Sequence, residues 1–197
     1  MSTKNAEVWD VDFWRNDVQR ITEMVNATEQ IHKVSQLYGS PLSIPILNES
    51  RYLARALVDA LNDAVAGQGS TIVQSKLTRA RLAASSALHD AVDELLALTM
   101  QGIIAIEREL ALRECQTNLG LYLDQDWRLR YRKYLEAYRE IAAEVAHARA
   151  ERDVREDIYL RLVSGRKDNG LDTIIDFLQR LREFGLTVTE ESNKNLS

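Results

Sequence analysis

Residues 88–106 read LHDAVDELLALTMQGIIAI, and this apolar stretch decides the fold. Its aliphatic side chains fall on more than one face of a helix, which is typical of a helix that neighbours cover on several sides. Gly102 is the only helix breaker in the stretch, and one glycine costs about 1 kcal/mol in a helix interior without ending the helix. The stretch therefore predicts a central helix.

The central helix extends in both directions. Ser70 or Thr71 is a suitable first residue, and the helix is expected to continue to about Gln116, where Asn118-Leu119-Gly120 supplies a stop. Small residues between Ala80 and Ala87 would let another helix approach closely. This segment is predicted to be the third helix of the chain.

Two helices are predicted before it. The first runs from Val11 to Tyr38 and ends at Gly39, a residue suited to a left-handed helix end. Pro41 and Pro45 predict an extended link through Ile46, because the residue before a proline avoids the helical region. The second helix is expected from about Glu49 to Ala66. Its inward stripe is predicted to be Leu53, Leu57, Leu61 and Val65.

Two further helices are predicted after it. The fourth runs from about Gln125 to Ser164 along an apolar stripe whose spacing drifts in its second half. A loop at 165–170 follows, and a short fifth helix extends from Leu171 to Phe184. Gly185 is expected to close that helix.

These elements predict an all-α fold, an elongated antiparallel bundle of four long helices with a short C-terminal fifth helix. Residues 11–186 are expected to form one domain, with 165–170 as its candidate hinge. A flexible N-terminus at 1–10 and a polar tail at 187–197 complete the predicted organisation.

The composition excludes several classes of protein. Glycine (8) and proline (2) are scarce, which disfavours an all-β fold with its many turns. The net charge of −5 opposes broad adhesion to nucleic acid or anionic lipid. Cys115 is the single cysteine, so the chain forms no internal disulfide and no thiolate cluster. No apolar run has the length or flanks of a membrane span or a secretory signal. We expect a cytoplasmic protein without a membrane partner.

Two Glu-x-x-His pairs, Glu29 with His32 and Glu144 with His147, are candidate metal ligands. Ferritin-like di-metal bundles use two such pairs, because residues three apart share a helix face. Tight antiparallel turns would separate these two pairs by about twelve residues, on the order of 18 Å along the axis. That separation favours histidines at the core edge or in solvent over a shared metal site.

A more local group of candidates lies between the third and fourth helices. An antiparallel hairpin would place His89, Asp93 and Glu94 opposite Glu144 and His147. Such a group suits either an acid–base or metal site, or a polar belt between helices. It is the basis of an alternative hypothesis that the protein is an enzyme.

A basic run on the fourth helix suggests contact with nucleic acid, since Arg and Lys pair with phosphates. The tyrosines that alternate with these cations fall on the predicted core stripe, which favours a solvated, salt-bridged face instead. The candidate residues are Arg128, Arg130, Arg132 and Lys133.

The fifth helix carries a strong apolar face, which either caps the bundle or docks on a protein partner or a second copy. The apolar surplus of the third helix also suits a coiled-coil-like seam between copies. The candidate partner-binding residues of the fifth helix are Ile174, Phe177, Leu178, Leu181 and Phe184.

The sequence contains no Gly-rich phosphate loop and no dinucleotide fingerprint, and no cofactor is expected. Long helices with an apolar surplus and no compact catalytic constellation favour a non-catalytic interaction or assembly protein, either self-associating or part of a larger complex. An enzyme and an accessory nucleic-acid-binding protein are the alternatives.

Overall fold

The computed structural model describes residues 11–40, 43–116, 125–165 and 173–194. Every regular element within these ranges is an α-helix, which confirms the all-α class. The predicted flexible N-terminus at 1–10 lies outside the described residues. The elements are α1 (Val11–Leu37), α2 (Ile44–Val65), α3 (Ser70–Gln116), α4 (Gln125–Ala150), α5 (Arg152–Ser164) and α6 (Ile174–Lys194).

The link between α1 and α2 is shorter than the prolines predicted. Gly39 adopts a φ of 77°, and α1 ends just before it, as the sequence predicts. Helix α2 begins at Ile44 rather than Glu49, and Pro45 occupies its first turn. Proline is well placed there, because the first backbone N–H groups of a helix have no partner inside the helix. The predicted extended link through Ile46 is therefore wrong.

The chain divides into two compact units, Met1–Val92 (unit 1) and Asp93–Ser197 (unit 2), and the division falls within α3. The single domain predicted for 11–186 stays a prediction, because a continuous helix belongs to both units. Of the predicted hinge at 165–170, Gly165 alone is described; it follows α5 with a φ of 88°.

The core of unit 1 joins all three of its helices. Ala60 of α2 clusters with Val73 and Leu77 of α3, and Trp14 of α1 packs against this cluster. Arg81 of α3 donates a 3.1 Å hydrogen bond to the buried carboxylate of Asp17 on α1. The remaining buried apolar residues of α1 are Ile21, Met24, Ala27 and Ile31.

The core of unit 2 joins α3, α4 and α6. Tyr134 of α4 lies between two aromatic rings of α6, with centroid distances of 5.9 Å to Phe177 and 5.2 Å to Phe184. Both contacts are tilted, an arrangement that aromatic pairs favour. The buried cluster consists of Ile103, Ile106, Leu110, Leu181 and Phe184, with Tyr131, Tyr134, Leu135 and Tyr138 packed against it.

The predicted fourth helix is two helices. Glu151 is extended, with φ −110° and ψ 98°, and separates α4 from α5. Arg155 of α5 donates hydrogen bonds to the carbonyl oxygens of Ala148 and Arg149, at 3.0 and 3.1 Å. These carbonyls belong to the last turn of α4, where no helical donor follows. The change in spacing of the apolar residues along the predicted fourth helix was the sequence signal for this interruption.

Helices α3 and α4 pair in the predicted antiparallel sense. Tyr131, near the start of α4, packs in the cluster that contains Ile103 and Leu110 of α3. Arg149, near the end of α4, lies 2.6 Å from Asp93. Residues later in α4 therefore lie beside residues earlier in α3, which is the antiparallel arrangement. The sequence predicts His147 level with Asp93, so the predicted register agrees to about half a turn.

Helix α6 continues through Gly185 to Lys194, so the predicted stop at Gly185 and the start of a tail at 187 are wrong. Gly185 serves another purpose. A Cβ atom there would lie 3.3 Å from Ile106, and a Cβ at Gly102 would lie 3.3 Å from Leu181. Both glycines therefore permit close approach of α3 and α6.

We expect Gly185→Val to destabilise the protein by about 1–3 kcal/mol, because the added side chain overpacks the contact with Ile106. Urea unfolding followed by circular dichroism measures the change. Gln179→Val, on the exposed face of the same helix, is the matched control and should change stability by less than about 0.5 kcal/mol. Equal stability of the two variants would refute the close-packing role of Gly185.

Candidate functional site

Unit 1 contains a groove between α1 and α2 with a volume of about 480 Å³. Ala84 and Ala87 of α3 form its floor, and both are buried. Small-molecule sites in proteins commonly enclose about 300–1,000 Å³. We call this cavity the α1–α2 groove. Its walls are lined by Val25, Thr28, Glu29 and His32 of α1, by Ser43 just before α2, and by Ile46, Leu47, Ser50, Leu53, Ala54 and Leu57 of α2.

The groove results from the small side chains that α3 presents along it. Within unit 1 one row of buried positions of α3 recurs at alternating spacings of four and three residues, the pattern of a helix-packing seam. Four of these positions are alanines, whose methyl groups leave space between the two helices that cover them. The positions are Val73, Leu77, Ala80, Ala84, Ala87 and Ala91.

Most polar groups of the groove have partners within their own helix. The hydroxyls of Thr28 and Ser50 each donate a 2.8 Å hydrogen bond to the carbonyl four residues earlier. The Nε2 atom of His32 lies 3.1 Å from the side-chain amide nitrogen of Gln36. The Nδ1 atom of His32 is buried and has no hydrogen-bond partner among the described residues.

Glu29 and His32, a predicted metal-ligand pair, thus line an apolar groove. The Glu29 carboxylate lies 2.7 Å from Lys33, whose hydrogen bond and positive charge hold the pKa of Glu29 below its ordinary value. Within the described ranges, no three His, Cys, Asp or Glu side chains form a group that could hold a metal ion. The metal role of this pair stays a prediction.

A second surface feature of unit 1 is an apolar stripe on α2. Leu61 and Val65, predicted to face inward, are 62% and 89% exposed, and Val58 is 54% exposed. The predicted inward stripe is therefore wrong in its second half. We define the α2 stripe as Leu47, Ala54, Val58, Leu61 and Val65, all of which are exposed.

The error has a geometric cause. Residues four apart on a helix are offset by about 40°, so a strict four-residue repeat rotates away from the core. Leu53 is 8% exposed, whereas Val65, three such steps later, lies on the solvent side. The spacings of seven, four, three and four residues from Leu47 to Val65 were the signal for a second apolar face.

The candidate residues between the third and fourth predicted helices fall in both units. Within unit 2, Asp93 accepts a 2.6 Å hydrogen bond from Arg149, and Glu144 accepts a 3.1 Å hydrogen bond from Arg161. His147 is exposed on the same helix as Glu144. Two of the candidate carboxylates therefore bind guanidinium groups, as expected of a polar belt between helices.

His89 belongs to unit 1, whereas Glu94 belongs to unit 2 with the other members of the predicted group. Both side chains are half-buried. The acid–base and metal roles of the five-residue group, and with them the enzyme hypothesis, stay predictions.

Tyr159 of α5 was not among the predicted site residues, yet its side chain is fully buried. Burial raises the pKa of its hydroxyl above the ordinary value, and the negative charge of Asp93 raises it further, while Arg155 and Arg149 act in the opposite direction. Asp93, Arg149 and Tyr159 thus form an electrostatically coupled group within unit 2. A tyrosine on an arginine-rich helix gave no sequence signal for this arrangement.

The predicted partner-binding face of α6 is buried within unit 2. Its five residues are at most 6% exposed, and Leu181 and Phe184 belong to the core cluster. This placement corresponds to the capping alternative for the fifth predicted helix. A partner-binding role for Ile174, Phe177, Leu178, Leu181 and Phe184 stays a prediction.

The basic run of α4 presents exposed cations at Arg130, Arg132 and Lys133. The side chain of Arg128 lies outside the described residues. Tyr134 packs against α6, as described above, and is therefore committed to the core rather than to stacking on a base. Contact with nucleic acid stays a prediction that rests on charge alone.

Comparison with known proteins adds no relative. No family model matches the chain, and neither the curated proteins nor the solved structures contain a significant match to it. In the described part of the chain, no helix combines the length and apolar character needed to span a membrane.

We expect stability to fall with rising pH more steeply in the wild-type protein than in Tyr159→Phe. A raised folded-state pKa of a tyrosine means that stability is fully present below the unfolded value near 10 and is lost as pH rises towards the folded value. The difference in slope approaches about 1.4 kcal/mol per pH unit for one proton. Urea unfolding between pH 9 and about pH 11 measures it.

The same substitution at Tyr52, whose side chain is exposed, controls for the loss of a hydroxyl group. Parallel pH profiles for wild type and Tyr159→Phe would contradict a coupling between this hydroxyl and folding.

Proposed function

We propose that the protein is a non-catalytic assembly module that self-associates through the α2 stripe. The observation that carries this proposal is the exposure of Val58, Leu61 and Val65 on one face of a single helix. Isolated apolar residues are normal on protein surfaces, but a contiguous apolar face marks an interaction site. The stripe replaces the α6 face as the surface on which the assembly hypothesis rests.

A second copy of the chain is the partner that the charges of α2 favour. Arg55 and Asp59 lie two residues before and after Leu57. An antiparallel copy of α2, related by a two-fold axis near Leu57, would bring each arginine level with an aspartate of its partner. Charges that flank an apolar seam set orientation and register in this way.

The apolar stripe fits the same symmetry. Its ends, Leu47 and Val65, are equidistant from residue 56, within one residue of the centre of the charge pattern. Two-fold interfaces use the same patch on both subunits, so the patch must be self-complementary under that axis. The apolar and charge patterns of α2 thus favour one antiparallel arrangement.

We expect Leu61→Glu and Val58→Glu each to weaken self-association by at least about tenfold, because each buries a carboxylate in the apolar seam. Light scattering during size-exclusion chromatography, over a dilution series, measures the change. Tyr52→Glu adds the same charge to an exposed position on the opposite side of α2 and should leave association unchanged. A wild-type protein that stays monomeric at the highest concentration reached would sink the proposal.

Charge reversal tests the antiparallel register. Arg55→Glu should weaken association about two- to fivefold, because it comes level with the partner's aspartate at position 59, and exposed pairs contribute up to about 1 kcal/mol. An Arg55→Glu variant that associates as tightly as the wild type would show that the register is wrong.

A further inference from the structure

The turn between α4 and α5 is very short, because Glu151 alone connects the two helices. Arg161 of α5 donates a 3.1 Å hydrogen bond to Glu144 of α4, 17 residues earlier in the chain. In one continuous helix these two residues would lie about 25 Å apart along the axis. Helix α5 therefore folds back along α4, and it contacts both α4 and α6.

The local sequence favours a continuous helix across this turn. Residues 121–164 contain neither glycine nor proline, and residues 146–156 read AHARAERDVRE. Most of these residues are strong helix formers, and glutamate is one of them. Glu151 is nevertheless extended, with φ −110° and ψ 98°. Tertiary contacts rather than local preference therefore maintain the interruption.

The interruption is stabilised mainly from the α4 side. A break in a helix removes the backbone hydrogen bonds that would cross it. Arg155 replaces two of them by donating to the carbonyl oxygens of Ala148 and Arg149. On the α5 side, the side chain of the N-cap residue Glu151 makes no capping hydrogen bond. A straight helix would restore the backbone hydrogen bonds on both sides.

Straightening at Glu151 would carry α5 away from the surface that it covers. The apolar residues of α5 that face this surface are at most 8% exposed, so they would need a new partner. A second copy of the chain offers the identical surface, which is complementary by construction. The exchanged contacts equal those given up, and the continuous helix adds hydrogen bonds. The residues are Ile158, Tyr159, Leu162 and Val163.

Helix α6 must move together with α5. The seven residues between Gly165 and Thr173 allow these two residues to be at most about 28 Å apart. Helix α5 has 13 residues and is about 20 Å long, so reversing its direction moves its far end by about 40 Å. The tether is too short for α6 to stay behind. The exchanged segment is therefore residues 152–194, which we call the C-terminal arm.

We propose that Glu151 is a hinge for exchange of the C-terminal arm between two copies of the chain. In the exchanged dimer α4 and α5 are one helix over residues 125–164, and the arm of each copy packs on unit 2 of the other. Phe177 then contacts Tyr134 of the second copy instead of its own. Arm exchange is separate from association through the α2 stripe, which lies in unit 1.

The distance between two spin labels tests the hinge in the full-length protein. Cys115→Ser removes the single cysteine, and Ala143→Cys and Ser164→Cys then place the labels at exposed positions of α4 and α5. Leu61→Glu is included to remove association through the α2 stripe. Refolding the labelled chains together with an excess of unlabelled chains restricts the measurement to distances within one chain.

The two conformations predict different distances between the labels. In the closed monomer the labels lie on adjacent antiparallel helices, within about 20 Å of each other. In the exchanged dimer they are separated by about 31 Å, which is 21 residues along one helix. A short distance in monomer and dimer alike would overturn the proposal. Absence of any dimer at millimolar concentration would overturn it as well.

Substitutions in the Leu61→Glu protein test the cause of the exchange. Arg155→Ala removes two hydrogen bonds of the closed turn and should strengthen dimer formation about tenfold. Arg132→Ala, at an exposed position of α4, is the matched control and should leave the dimer unchanged. Three glycines inserted after Glu151 lengthen the turn and disfavour a continuous helix, so they should abolish the dimer. Circular dichroism establishes that each variant is folded.

The outcomes separate arm exchange from the assembly proposal. If Leu61→Glu associates as tightly as the wild type, the stripe proposal fails, and the label distance within one chain still decides the hinge. Equal dimer formation by the Leu61→Glu protein, its Arg155→Ala variant and its glycine-insertion variant would overturn arm exchange and leave the stripe proposal intact.

Discussion

The structure depends on the way side-chain size varies along α3. In unit 1 the buried positions of this helix are mostly alanines, and in unit 2 they are larger aliphatic residues such as Leu95, Ile103 and Ile106. Protein interiors are packed to near-crystalline density, so the covering helices must adapt to the volume that α3 offers. In unit 2 this adaptation takes the form of glycines at 102 and 185, where backbone and side chains approach closely. In unit 1 it leaves the α1–α2 groove.

The groove and the α2 stripe are two consequences of the same helix. Helix α2 buries Ile46, Leu53 and Ala60 on one face and presents a second apolar face to solvent. The two faces adjoin on α2, and the stripe is the one that is exposed to solvent. The groove uses the side of α2 nearer to α1, and the stripe continues beyond it. The proposed self-association uses the stripe alone.

The polar residues of unit 2 have a structural explanation. Arg149 and Arg161 bind the carboxylates of Asp93 and Glu144, and Arg155 caps the last turn of α4. Buried or half-buried charges are tolerated when they are paired and hydrogen-bonded. Acidic residues that read as candidate catalytic groups in the sequence thus stabilise the junction of α3, α4 and α5. Histidine spacing on one helix contains no information about which arginines a neighbouring helix contributes.

The sequence by itself determined the helical class, the bounds of α3 and the antiparallel sense of α3 and α4, because helix periodicity and glycine punctuation are local properties. It also singled out Glu29 and His32, which line the α1–α2 groove. Only the tertiary structure decided that Leu61 and Val65 face solvent, that Glu151 interrupts a long helix and that α6 continues through Gly185. Each of these outcomes depends on which neighbour covers a face or caps a helix end, and such contacts join residues far apart in the chain, where no local spacing specifies them.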